Sequence, residues 1–405
     1  QSLSPVTRVL LQQVDKPLTM TAFLPEGAGD KTNIQDLLQR YAYVNPKISF
    51  TFVDPEREPL KAKEAGYRFP GNVLLTYTGR HQMADKADED TITNALRRLL
   101  KPGRKKILFL TGHGERDLTG KAQNGLQTAK QALENEGYEV GALNLVTQPQ
   151  VPKDAAVVIL AAPKKPPLAS EVDALKAYLD QGGRVLVMLE AFQDSGLQGF
   201  LAGYGITLDD GVILDVNQVS QSLRISPVMP LAFQYGPSRI TRDFKNTLTM
   251  YPMSRPLTLS KEVKGVNLAP LVSTMATSYE KLGKEWTKTG KGDFDPKTDK
   301  KGPFTVGALA EISLPPAKPE KAPAPAAKKP GEENKTYLAA FGDVDFADNA
   351  YFNLFGNGDL FLNTVNYLAA EEQQIMVREA RQAQILVLTG NQIYILFVVC
   401  LVWAP

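Results

Sequence analysis

Thiols are nearly missing from this chain: one cysteine, Cys400, in 405 residues. Because it sits in an apolar tail, everything before it lacks disulfides, CxxC redox chemistry, cysteine nucleophiles and cysteine-ligated zinc. Such a composition suits an oxidising compartment, although many cytosolic chains share it. Histidine is almost as scarce, with only His81 and His113, which excludes multi-histidine metal sites. No excess of one charge exists either: 46 basic against 44 acidic residues leave +2. No global field therefore draws the chain to nucleic acid. The basic pairs Arg97-Arg98 and Lys164-Lys165 have no interleaved aromatics and read as solvated faces. Neither a GxGxxG fingerprint nor a Walker loop is present. No signal peptide is visible at Gln1, and the polar start reads as a mature or trimmed end.

What is there is an α/β pattern long enough for two or three domains. Residues 1–101 alternate strand and helix signals in the order βαβαββα. Pro17–Leu24, Ile48–Val53, Asn72–Thr78 and a short run near His81–Met83 read as strands. Asn33–Tyr43, Pro59–Gly66 and Asp88–Leu100 read as helices, the first with Ile34, Leu37, Leu38 and Tyr41 on one face. This order, with Pro70 just before the third strand, resembles a thioredoxin-like fold. The loop where such an enzyme carries CxxC reads Pro25–Asp30 here, so the unit is expected to be a scaffold.

Lys101-Pro102-Gly103-Arg104 marks a boundary, and a second α/β domain is expected over residues 102–384. Lys106–Leu110, Tyr138–Leu145, Ala155–Ala161 and Arg184–Leu189 read as strands; the last two are continuous apolar runs of the kind buried on both faces. Leu126–Glu136 and Leu168–Gln181 read as helices, the latter with Ser170 as N-cap and Glu171 and Asp173 in its first turn. The alternation predicts a doubly wound, flavodoxin-like parallel sheet. Beyond Asp210 the pattern becomes β-rich, with runs at Gly211–Val216, Val266–Ser273, Phe304–Ile312 and Thr336–Gly342, and a helix at Leu360–Ala370. Residues 315–334 are rich in Pro, Ala and Lys and read as a disordered insertion within this domain.

Residues 385–405 contain no charged side chain from Ile385 to Trp403. Spanning a bilayer takes about 20 apolar residues, and Thr389–Gln392 interrupt the first half. Two readings stand: a transmembrane helix that starts near Gln392, or a buried C-terminal core helix. The lack of a polar face favours the first.

The sharpest local feature is Thr111-Gly112-His113-Gly114-Glu115-Arg116-Asp117, directly after the first strand of the second domain. In doubly wound sheets the crevice beyond the strands' carboxyl ends is the usual binding place. Glu190 ends another strand, and Asp343, Asp345 and Asp348 follow Thr336–Gly342. A crevice formed by His113, Glu115, Arg116, Glu190, Asp343, Asp345 and Asp348 is therefore expected. One histidine among carboxylates offers a hard-cation site or an acid–base pair; the plainer reading is that these residues cap turns through backbone amides. A nucleophile is missing. The stretch where an amidotransferase-like domain carries one on a sharp turn reads Ala161-Ala162-Pro163-Lys164-Lys165, so no triad can be assembled. No catalytic residue, metal ligand or cofactor is assigned.

Taken in order, Ser2–Pro5 with Val14–Leu18, Leu110–Glu115, Gly342–Ala347, and Asp359–Leu368 with Glu371-Glu372 resemble the GldG-like auxiliary components of bacterial ABC transporters. The second domain is similar to the glutamine-amidotransferase-like domain of gliding and intraflagellar-transport proteins, which lacks catalytic residues. The resemblance implies an extracytoplasmic unit at the inner (cytoplasmic) membrane, facing the periplasm or exterior and held between two helices. One helix would precede Gln1 and one would begin near Gln392. It also implies an ABC permease and ATPase as partners, an unknown cargo and no catalysis. Two other classes compete: a hydrolase or sugar-modifying enzyme using paired carboxylates, and a structural protein-binding adaptor.

Overall fold

The computed structural model describes residues 2–100, 105–289, 292–315 and 334–370. The boundary 101–104, most of the Pro/Ala/Lys insertion and the whole 385–405 anchor expectation lie outside these residues. Among the described residues no helix is long and apolar enough to cross a membrane.

Near the N-terminus a helix that the sequence reading missed opens the chain. Helix α1 (Pro5–Leu11) starts where the Ser4 side chain accepts the amide of Thr7, with proline at the first helical position. That pair is a start signal of known chemistry. The elements β1 (Leu18–Phe23), α2 (Lys31–Val44), β2 (Ile48–Val53), α3 (Pro59–Glu64), β3 (Val73–Tyr77), β4 (Arg80–Ala84) and α4 (Glu89–Leu100) then follow in the expected order. Their strands form a sheet in the order β2-β1-β3-β4, with β1 and β2 parallel and the rest antiparallel. Ile34, Leu37, Leu38 and Tyr41 of α2 are buried, as the helical spacing requires.

The second unit starts with β5 (Lys106–Leu110), α5 (Gln127–Asn135), β6 (Glu139–Leu143), β7 (Ala155–Ala161), α6 (Ala169–Asp180) and β8 (Val185–Met188). β6, β5, β7, β8 and the strand Lys335–Phe341 lie side by side and all parallel. In β7 alternate residues serve opposite faces. Val157, Ile159 and Ala161 pack with α5 and the helix Asn357–Leu368, while Val158 and Leu160 pack with α6. Helices on both faces explain why β7 reads as an uninterrupted apolar run.

The expected parallel sheet is present as these five strands, and the expected β-rich extension joins it directly. Thr305–Ser313, Val266–Ser273 and Gln234–Tyr235 extend the same sheet antiparallel, giving a mixed sheet of ten strands. The β-rich stretch is thus a continuation of the core. Ser313 pairs with Lys335, and Asn334 Nδ2 donates to Pro315 O at 2.8 Å. The Pro/Ala/Lys segment therefore leaves from one strand and returns to its antiparallel neighbour. One buried contact ties the two units together, Arg97 of α4 meeting Glu136 at 3.7 Å; within the second unit Glu136 also accepts Asn366 Nδ2 at 2.7 Å.

Gly342 ends the strand that delivers the aspartate loop. A Cβ there would stand 2.0 Å from Arg255 O, a backbone atom that cannot swing aside. Arg255 N in turn donates to Gly342 O at 2.8 Å. Gly342→Ala should therefore lower stability by about 3 kcal/mol, the upper range of overpacking penalties, as read from the midpoint of urea denaturation.

Candidate functional site

Because the five central strands run parallel, their carboxyl ends open on one edge. Residues far apart in sequence meet there: the Thr111–Asp117 loop, the turn after β7, Glu190 after β8, and Gly342–Asn349. Along this edge the seven expected residues fall into three hydrogen-bonded groups.

The first group is buried. His113 Nδ1 lies 3.2 Å from Glu115 Oε1, and Nε2 lies 2.9 Å from Glu171 Oε2. Glu115 also accepts the backbone amide of His113 at 2.8 Å, and Glu171 accepts that of Leu168 at 2.8 Å. A doubly protonated ring donates to both carboxylates, whereas a neutral ring can serve only one. Glu171 is the residue that sequence reading missed. It was taken as a first-turn acid behind an N-cap at Ser170, but α6 begins at Ala169 and Glu171 turns inward to cap Leu168. The signal was present as an acid three residues after the helix entry.

In the second group the Arg116 guanidinium bonds to both Glu190 and Asp345. All three are partly buried, with the Arg116 side chain 11% exposed. Burial pushes Asp345 up to about 6, and the negative Glu190 adds to this while Arg116 opposes it.

The third group does the work of turns. Asp343 accepts the amides of Asp345 and Phe346 at 3.2 and 2.9 Å. Asp348 accepts those of Ala350 and Tyr351 at 2.9 and 3.1 Å. Both carboxyls are 2% exposed. Burial, reinforced by Asp345, drives Asp343 well upward and Asp348 to about 7, against the amides that hold them. Among the described residues no group of three or more His, Cys, Asp or Glu side chains is arranged to hold a metal ion.

The turn after β7 is sharp. Ala162 is buried and takes φ 53°, a left-handed conformation that costs a non-glycine residue about 1–2 kcal/mol. Its amide donates to Met188 O at 2.8 Å, and Arg116 N donates to Ala161 O at 3.0 Å. The residue at the apex of this turn carries only a methyl group. Beside the Thr111–Thr119 loop lies a cavity of about 620 Å³, bounded by Lys130 of α5 and Val140–Ala142 of β6.

Comparisons with known proteins place the chain as follows. The family described as "ABC-type uncharacterized transport system" matches over residues 104–364, and a domain of unknown function matches over residues 2–92. No curated protein matches. Among solved structures, the mmIFT52 N-terminal domain is 18% identical with a TM-score of 0.44, covering 65% of this chain and 97% of its own. A ThuA-like protein from Bacteroides uniformis is 14% identical with a TM-score of 0.33, covering 65% of this chain and 91% of its own. Thioredoxin from Fasciola hepatica is 18% identical with a TM-score of 0.19, covering 22% of this chain and 86% of its own.

Two outcomes follow from the buried charges. His113→Ala removes the hydrogen-bond partner of both Glu115 and Glu171, and should cost about 2–4 kcal/mol, because each buried polar group left unsatisfied costs about 1–3 kcal/mol; chemical denaturation measures it. Asp348 is held above its unfolded value, so between about pH 4 and pH 7 the folded chain binds a proton that the unfolded chain has released. Stability is then full below the unfolded value and falls as pH rises through this window. Asp348→Asn keeps an acceptor for Ala350 and Tyr351 and should remove on the order of 2 kcal/mol of that fall, from the size of the shift discounted because Asp345, which helps to raise it, titrates in the same window. Urea denaturation of both proteins at pH 5 and pH 8 tests it.

Proposed function

The chain belongs to the family described as an ABC-type uncharacterized transport system, and from that membership we propose that it is a non-catalytic accessory subunit of a bacterial ABC transporter. In this reading the folded part faces the periplasm or exterior, next to the inner membrane. The 1–101 unit acts as a thioredoxin-like scaffold without its redox pair, and residues 102–384 form the amidotransferase-like unit that docks on the permease. ATP hydrolysis belongs to a partner ATPase. The edge that carries His113, Arg116 and Asp345 receives cargo or a partner.

The observation that carries the non-catalytic part is Ala162. Its strained turn supports a position of the kind that displays a nucleophile, yet the side chain is a methyl group. The nearby acids support the same reading. Asp343 and Asp348 are engaged by backbone amides, Glu115 and Glu171 by His113, and Glu190 and Asp345 by Arg116. A carboxylate-dependent hydrolase needs one acid free to protonate a leaving group and another free to face it; none of these six meets that need.

The full-length protein, extracted with detergent from its native membrane, should bring the permease and ATPase subunits through affinity purification. Arg116→Glu, which places three acids together, should weaken that association if the edge is the contact. Recovery of the protein free of transporter subunits, or turnover of a glycan panel by the purified chain, would overturn the proposal.

A further inference from the structure

The cavity beside the Thr111–Thr119 loop takes only Glu115 and Arg116 from the three charged groups; the rest of its lining is other loop residues, Lys130 and β6. At about 620 Å³ it falls within the range of small-molecule sites, about 300–1,000 Å³. Its floor is the small-residue run Val140, Gly141 and Ala142 of β6, the last strand of the sheet. The acids around it are already occupied. Glu115 is held by His113, and Asp117 accepts the Thr119 amide at 2.8 Å and the Thr119 hydroxyl at 3.0 Å.

Donors remain. The amides of Thr111, His113 and Arg116 each have an acceptor. Those of Gly112, Gly114 and Glu115 have none among the described residues. Gly112 at φ +123° and Gly114 at φ +78° need the freedom of glycine to make this turn. The adjacent free amides of Gly114 and Glu115, with that of Gly112 on the other side of the occupied His113 amide, are backbone donors of the kind that bind an anion. Arg116, which lines the same cavity, carries a further buried donor without a partner, Nε. Lys130 stands on the opposite rim, shared only with Glu134 at 3.1 Å.

We propose that this cavity binds a small anionic molecule, its carboxylate or phosphate oxygens on the amides of Gly112, Gly114 and Glu115 and its body against Val140–Ala142. The assignment rests on the reading of this edge as a binding rather than a catalytic surface, and names the ligand class.

The test is an amide-resolved NMR titration of the full chain with inorganic phosphate and, separately, with acetate. The signals of Gly112, Gly114 and Glu115 should shift with at least one anion. Phosphate alone points to a phosphate-bearing ligand, and a response to acetate points to a carboxylate. Ala142 is exposed, so its variants should fold. Ala142→Asp should weaken binding about tenfold through charge repulsion at short range, while the neutral Ala142→Asn should stay within about threefold of the parent on the same scale. Loop amides that respond to neither anion, or equal losses for the two variants, overturn the site. Affinity purification of the same variants with transporter subunits reads the accessory role separately, because loss of anion binding with intact association removes only this site.

Discussion

Parallel strands must all end on the same side of their sheet, and this constraint organises the molecule. β5, β7, β8 and Lys335–Phe341 deliver the loops bearing His113, Ala162, Glu190 and Asp345 to one edge. No pair among these residues is close in sequence. Only the register of the parallel ladder, Leu338 against Val185 and Val185 against Val158, brings them level. The close approach at Gly342 then sets the aspartate loop against Arg255, whose guanidinium also holds the carbonyls of Asp209 and Glu190.

At that edge, charge is balanced internally. A buried ion costs several kcal/mol unless it is paired and hydrogen-bonded, and nearly every acid at the edge meets a cation or backbone amides. Such an arrangement is suited to holding loops in fixed positions. Among the described residues, unpaired backbone donors lie instead at Gly112, Gly114 and Glu115, where the two glycines let the turn fit closely against Asn144 and Lys164.

Local patterns were read well where periodicity was strong. The inward face of α2, the apolar run of β7 and the boundaries of β2 needed only side-chain spacing and β-branched composition. Helix α1 was missed because its seven residues are too few to show a period, although Ser4-Pro5 announces its start. The antiparallel extension was seen as separate strands but not as part of the main sheet, because strand spacing carries no information about which neighbour a strand will choose. At the site, the charged residues were found but their partners were not. Glu171 looked like an ordinary first-turn acid, since nothing in a linear sequence says whether a carboxylate faces solvent or a histidine some sixty positions upstream.

Composition and order by themselves show that no thiol lies before the tail and that the turn after β7 carries Ala162 rather than a nucleophilic side chain. They also marked the glycine-flanked loop, because a residue's type and its immediate neighbours determine its backbone freedom. Tertiary structure alone decided which carboxylate serves which cation, that the β-rich stretch completes the sheet, and that three loop amides beside a cavity have no partner among the described residues. Pairing and burial depend on distances across the fold, and those distances exist only once the strands have taken their register.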